Sequence, residues 1–122
     1  MKLSAFPDMG PLAGVKLGAV ACGINYQDRN DLFMAELEPG TAIAGVFTRS
    51  RTAAAPVLWC RENIAGGKVR AIVSNAGNAN AFTGHHGDKT VQDTVTRTAK
   101  LFGCPRKQIF VASTGSIGVP FP

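Results

Sequence analysis

A loop of small hydroxyl and glycine residues, at positions 113–118, follows a strand-like apolar run in this 122-residue chain. Gly115 lacks a β-carbon, so its backbone N–H can approach a bound group closely, and the Thr114 hydroxyl is a second donor. Two such donors can stabilise the negative oxygen of an acyl-transfer transition state, an arrangement called an oxyanion hole. The alternative is a tight turn, where Ser, Thr and Gly are common for local hydrogen-bonding reasons. Spacing alone leaves both interpretations open.

The same loop nearly matches the nucleophile elbow G-x-S-x-G of serine hydrolases, with Ser116 at its centre. His85 or His86 would then be the candidate base. Two features argue against this interpretation: Thr114 stands where the elbow needs its first glycine, and residues 119–122 do not begin a helix. A serine hydrolase based on Ser116 is therefore kept only as an alternative.

Three asparagines follow another strand-like run and are separated only by Ala and Gly. They are Asn75, Asn78 and Asn80. Asparagine tolerates left-handed backbone, and its carboxamide can hydrogen-bond the amides of a loop. We expect a buried, hydrogen-bonded scaffold that supports neighbouring catalytic groups.

The remaining polar motifs do not predict a metal or cofactor site. His85 and His86 are adjacent and cannot easily bind one metal ion, and no second pair of ligands lies near them in sequence. Residues 87–90 lack the adjacent Gly-Lys-Thr of a phosphate-binding P-loop. We therefore predict neither a metal nor a cofactor.

Periodicity predicts an α/β fold in one domain over residues 1–122. Strands are predicted at 15–21, 31–37, 42–48, 69–74 and 108–112, and helices at 54–64 and from Asp88 to Gly103. The Glu38-Pro39-Gly40 turn predicts an antiparallel hairpin between the second and third strands.

Residues 68–112 are predicted to form one β-α-β unit, whose two strands are parallel. The loops at 75–81 and 113–118 would then leave the same edge of the sheet and face each other across a crevice. Ligands of α/β sheets favour that edge.

Composition excludes several classes of function. The net charge of +5 comes from scattered Lys and Arg, without a basic cluster, so nucleic-acid binding is not predicted. Three widely spaced cysteines predict reduced thiols, buried as small hydrophobic residues in a cytoplasmic protein; they are Cys22, Cys60 and Cys104. The chain has neither a signal-peptide pattern nor an apolar stretch of membrane-spanning length.

Four motifs occur in a specific order along the chain. They are Gly-Val-Phe-Thr-Arg at 45–49, Ala-Ala-Pro-Val at 54–57, Ser-Asn-Ala-Gly-Asn-Ala-Asn-Ala at 74–81 and Ala-Ser-Thr-Gly at 112–115. Together they resemble the N-terminal region of ornithine acetyltransferase, the bifunctional glutamate N-acetyltransferase of arginine biosynthesis. The resemblance covers nearly the whole chain, and the second pair of motifs is highly specific.

The resemblance implies a layered αββα sandwich with mixed sheets and a precursor that cleaves itself before a threonine. That threonine takes acetyl from N-acetylornithine and passes it to glutamate through an acyl-enzyme. Thr114 and Gly115 match the family's oxyanion hole, and the processed chains of the family form an α2β2 assembly. Ser116 departs from the family pattern, which has valine there.

The resemblance also implies that the nucleophilic threonine lies beyond residue 122, in a C-terminal part or β chain. We therefore expect the 122 residues to be a partial domain, the front of an α chain, and to be inactive alone. A non-catalytic binding or interaction fragment that keeps the fold is the alternative from another class.

Overall fold

A mixed sheet with two helices makes up the computed structural model, which describes residues 5–122. The strands are β1 (Val15–Val20), β2 (Leu32–Leu37), β3 (Ala71–Asn75) and β4 (Ile109–Ser113), and the helices are α1 (Ala55–Asn63) and α2 (Gly84–Phe102). The sheet order is β1-β2-β3-β4. β2 is antiparallel to both of its neighbours, whereas β3 and β4 are parallel. The predicted β-α-β unit is therefore confirmed.

The core lies between β3, β4 and the two helices, which pack against β4 and against each other. Alternate residues of β3 are buried because successive side chains of a strand point to opposite faces. Val95 of α2 and Ile109 of β4 are completely buried. The Trp59 indole of α1 donates a hydrogen bond to the Ile109 carbonyl oxygen at 2.9 Å, which joins α1 to the sheet.

The apolar periodicity of α2 is confirmed, since Val91, Val95 and Ala99 are all buried. Gly103 ends the helix in the left-handed conformation (φ 61°), as predicted. The predicted start is wrong, because the helix begins at Gly84 and Asp88 lies in its second turn.

A close contact with the loop that directly precedes α2 accompanies this earlier start. A β-carbon at Gly87 would lie 2.1 Å from Thr83 Oγ1 and 2.6 Å from Asn80 Oδ1. The glycine at 87 therefore allows the first turn to pack against the preceding loop, although in sequence it resembles a loop residue.

The predicted hairpin between β2 and residues 42–48 is wrong. β2 already has β1 on one edge and β3 on the other, so no edge remains for a third partner. The turn itself forms, with Thr41 N–H donating to the Glu38 carbonyl at 3.1 Å. The chain then runs beside residues 67–69 through the hydrogen bonds Ile43 N–H to Gly67 O and Val69 N–H to Thr41 O.

The three thiols are free but differ in burial. Cys60 is buried, Cys104 is half-buried and Cys22 is exposed. Burial was therefore correctly predicted for Cys60, where it raises the pKa of the thiol, and wrongly for Cys22.

Within residues 5–122, neither helix combines the length and apolar character needed to cross a membrane.

Val95→Ala tests the packing of α2 on the sheet. The change removes two buried methyl groups, and the higher helix propensity of alanine offsets part of the loss. We expect the free energy of unfolding to fall by about 1–2 kcal/mol in urea denaturation. Val46→Ala is the matched control, because Val46 is 98% exposed, and should change stability by less than about 0.5 kcal/mol. Equal effects at the two valines would contradict this account of the core.

Candidate active site at the carboxyl ends of β3 and β4

Two loops meet where the parallel strands end: the asparagine loop (residues 75–81) and the Ser-Thr-Gly loop (residues 113–118). Their backbones are joined by four hydrogen bonds of 2.8–3.3 Å, namely Thr114 N–H to Asn75 O, Ser116 N–H to Gly77 O, Ala79 N–H to Ser116 O and Gly118 N–H to Ala81 O. The two loops therefore form one unit, and the prediction that they face each other is confirmed.

Gly115 packs directly on the backbone of the asparagine loop. A β-carbon at Gly115 would lie 2.3 Å from the Gly77 carbonyl carbon and 2.5 Å from the Asn78 nitrogen, so only glycine fits. Gly115 also has a φ of 133°, which side chains disfavour. The orientation of its peptide group is thus determined by the opposing loop.

The Gly115 N–H and the Thr114 hydroxyl are both available to a ligand. Neither group has a hydrogen-bond partner among residues 5–122, and both residues are exposed. The Thr114 N–H, in contrast, is occupied by the Asn75 carbonyl at 3.0 Å. Two unoccupied donors on consecutive residues can together bind one oxygen that carries negative charge.

The asparagine side chains form the buried scaffold that the sequence predicts. Asn75 Nδ2 donates to the Asn78 carbonyl at 2.8 Å, and Asn75 Oδ1 accepts the Ser113 hydroxyl at 2.6 Å. The Asn75 side chain thus connects the end of β3 with the end of β4.

The other two asparagines extend this network in opposite directions. Asn78 Oδ1 accepts the Asn80 N–H at 2.7 Å, while its Nδ2 donates to the Val119 carbonyl at 3.0 Å. Asn80 Nδ2 donates to the Gly87 carbonyl of α2 at 3.0 Å, and Asn80 Oδ1 accepts the Thr83 hydroxyl. Leaving one such buried group unpaired costs about 1–3 kcal/mol. The network therefore stabilises this conformation of the loop.

A cavity of about 540 Å³ lies beside this scaffold. Asn75, Asn80 and Ser113 contribute polar groups to its wall, and Arg97 is the charged residue among its lining residues. Most other lining side chains are apolar, among them Leu32, Met34, Val73, Val91 and Val111. Thr114 and Gly115 do not line this cavity; Thr114 borders a smaller hollow of about 150 Å³. The two donors therefore lie outside this cavity, on exposed residues.

The geometry does not reproduce a nucleophile elbow at Ser116. Its hydroxyl makes no hydrogen bond to His85 or His86, which are exposed in the first turn of α2. Residues 117–122 form no helix. Within residues 5–122, no three His, Cys, Asp or Glu side chains are grouped so that they could bind a metal ion.

Asp31 and Gly77 have structural roles at this site that their places in the sequence do not predict. Asp31 directly precedes β2, is 3% exposed, and its carbonyl accepts the Ala76 N–H at 2.8 Å. Gly77 has a φ of 99° and lies against Asn25 and Tyr26. The glycine between two asparagines was a usable signal, but an isolated aspartate before a strand resembles an ordinary solvated turn residue.

Gly115→Ala tests the close contact of the two loops. The new β-carbon would overlap the backbone of Gly77 and Asn78, and we expect a loss of about 3 kcal/mol or more in the free energy of unfolding, from overpacking and backbone strain together. Gly118→Ala is the control, since its φ of 74° is also left-handed but no atom lies within 4 Å of the added carbon. It should cost about 1–2 kcal/mol. Equal losses in chemical denaturation would refute the contact.

Comparison with curated proteins identifies relatives in arginine biosynthesis. Two proteins named "arginine biosynthesis bifunctional protein ArgJ", from Gluconobacter oxydans and Bradyrhizobium diazoefficiens, are each 51% identical, over 116 and 114 residues. The alignments cover 95% and 93% of this chain but 27% and 28% of the relatives. The chain thus spans a little over a quarter of the length of these relatives.

Two solved structures share the fold. The ArgJ protein of Bacillus halodurans superposes with a TM-score of 0.83 at 33% identity, over 90% of this chain and 58% of that one. Ornithine acetyltransferase of Mycobacterium tuberculosis, solved with ornithine, superposes with a TM-score of 0.79 at 36% identity, over 90% and 60%. The mixed α/β fold class that the resemblance implied is confirmed. Residues 16–122 match the sequence profile of the ArgJ family, and this chain therefore belongs to that family.

Proposed function

We propose that this chain is part of an acyltransferase that moves an acetyl group from N-acetylornithine to glutamate. The observation that carries the proposal is the pair of unoccupied donors, Thr114 Oγ1 and Gly115 N–H, on a backbone that the asparagine loop holds in place. Family membership supports the biosynthetic role. The ornithine complexed with the Mycobacterium tuberculosis relative supports the class of substrate.

In the proposed reaction, a threonine hydroxyl in the remainder of the protein attacks the acetyl carbonyl of N-acetylornithine. The new C–O bond turns the carbonyl oxygen into an oxyanion, which Thr114 and Gly115 stabilise with their two hydrogen bonds. The amide C–N bond then breaks, and ornithine leaves with the proton that the threonine's own α-amino group took from the hydroxyl.

The second half of the reaction reverses this sequence with a new amine. The α-amino group of glutamate attacks the acetyl-threonine ester, and the same two donors stabilise the second oxyanion. The C–O bond breaks, the threonine oxygen takes up the proton that the attacking amine loses, and N-acetylglutamate is released. A donor pair that serves both steps fits a ping-pong route through one acyl-enzyme.

We assign the nucleophile to a separate β chain, released by autocatalytic cleavage, and the working assembly to an α2β2 hetero-oligomer. The 122 residues span a little over a quarter of their curated relatives, and we propose that they need the remaining segment for turnover. We also propose a cytoplasmic location, which the free thiols and the biosynthetic relatives support.

Thr114→Ala tests the oxyanion assignment. The experiment uses a chimaera in which this chain replaces the matching segment of the Gluconobacter oxydans relative, and it measures acetyl transfer from N-acetylornithine to glutamate. Loss of one oxyanion donor lowers kcat by about 100- to 1,000-fold.

Two controls accompany this variant. Thr114→Ser keeps a hydroxyl at the same position and should retain most of the activity. Thr96→Ala removes the hydroxyl of an exposed threonine on α2 and should leave kcat unchanged. Full activity of Thr114→Ala would overturn the oxyanion assignment. A folded chimaera without any transfer activity would instead support the non-catalytic interpretation of this segment.

A further inference from the structure

The connection between β1 and β2, residues 21–30, packs against Gly77 of the asparagine loop. Asn25 Cβ and Tyr26 Cε2 lie 2.8 and 3.4 Å from the position that a β-carbon of Gly77 would occupy, so this connection packs closely on Gly77. Gly77 in turn contacts Gly115 through its carbonyl group and accepts the Ser116 N–H at 3.3 Å. The β1–β2 connection and Gly115 are therefore both packed against Gly77.

Asp31 holds both the connection and the asparagine loop. Its carboxylate oxygens accept the N–H groups of Cys22 and Ile24, each at 2.6 Å, and these two bonds determine the path of the chain just before Asn25. Its backbone carbonyl accepts the Ala76 N–H at 2.8 Å, one residue before Gly77. Asp31 thus anchors the elements that meet at Gly77.

A carboxylate suits this position better than any neutral side chain. Two N–H groups converge on it, and only an ionised carboxylate accepts both with charge-assisted hydrogen bonds. These bonds lower the pKa of Asp31, with the Cys22 amide making the largest contribution and burial opposing it. The group is therefore ionised at neutral pH. An asparagine at 31 would present an NH₂ group to one of the two donors.

We propose that Asp31 is a positioning residue for the Gly115 oxyanion donor, acting through the β1–β2 connection and Gly77. The inference rests on the proposed acyl-transfer function. Glycine has no side chain that could absorb a displacement, so movement of the Gly77 backbone moves the Gly115 peptide directly. Misplacement of a catalytic group by about 1 Å can cost on the order of 100-fold in rate.

Asp31→Asn in the same chimaera tests the proposal. We expect kcat for acetyl transfer to fall by roughly tenfold or more while KM for N-acetylornithine stays within about twofold, because the donor acts chiefly in the transition state. Hydrogen exchange measured by mass spectrometry should rise in peptides covering residues 75–81 and 113–118. Asp28→Asn is the matched control, since Asp28 lies in the same connection, is exposed and accepts no hydrogen bond among residues 5–122. It should change neither quantity.

A second pair of variants tests the same path without removing the carboxylate. Asn25→Gly deletes the β-carbon that lies against Gly77, whereas Asn25→Ala keeps it. We expect kcat to fall severalfold for the glycine variant and to remain unchanged for the alanine variant. If Asp31→Asn fails to fold, this pair still tests the proposed path, because an unchanged kcat in Asn25→Gly would show that the connection does not position Gly115 through Gly77.

The outcomes separate the two proposals. A normal kcat per folded molecule in Asp31→Asn, with only the yield of folded protein reduced, would make Asp31 merely structural and overturn its positioning role. If Thr114→Ala also leaves kcat unchanged, the proposed oxyanion function is wrong. Hydrogen exchange in Asp31→Asn then tests the path separately, because unaltered exchange at residues 113–118 would show that Asp31 does not position that loop. A loss in Thr114→Ala together with a normal Asp31→Asn would reject the positioning role alone.

Discussion

The contact between the Gly115 peptide and the backbone of Gly77 and Asn78 is the constraint on which the rest of this structure depends. Two backbones approach so closely only where no β-carbon intervenes, and here both loops supply a glycine with positive φ. The contact also requires β3 and β4 to be adjacent and parallel, so that their carboxyl ends lie side by side. Helix α2 makes that arrangement possible because it carries the chain back to the start of β4.

Irregular backbone in a partly buried loop is destabilised where its amide and carbonyl groups lack hydrogen-bond partners, and the asparagines supply those partners. Loop amides and carbonyls that leave a sheet lose their ladder partners, and each unpaired buried group is destabilising. Asn75, Asn78 and Asn80 supply these partners from side chains short enough to remain inside the loop. Within residues 5–122, every buried polar side-chain atom has a hydrogen-bond partner. A fully paired network of this kind is rigid, which would keep the proposed donors at Thr114 and Gly115 in a fixed orientation.

The chemistry proposed for this chain covers only part of a reaction. Two unoccupied donors, at Thr114 and Gly115, can bind an oxygen that carries negative charge, whereas neither His85 nor His86 forms the hydrogen bond to Ser116 that activation of its hydroxyl would need. The structure therefore fits a division in which this segment stabilises the oxyanion and another segment attacks the carbonyl. The chain spans a little over a quarter of the length of the curated ArgJ relatives, and the proposed second segment corresponds to a part of those relatives that this chain does not cover.

The sequence by itself determined the existence of both helices and of the four strands, and the meeting of the two loops, although it also predicted a strand at 42–48 that does not form. Periodicity along α2 and the apolar runs of β3 and β4 are local patterns, and the parallel geometry of a β-α-β unit follows from them. The burial of the three asparagines could also be predicted, because small flanking residues leave the carboxamide as the only group able to pair the loop. Tertiary structure alone decided the partner of β2, the first turn of α2 and the role of Asp31. The partner of β2 depends on a strand distant in sequence, because β3 occupies the edge of β2. The other two depend on how neighbouring segments fold back in three dimensions: Asn80 and Thr83 lie beside Gly87, and the amides of Cys22 and Ile24 converge on the Asp31 carboxylate.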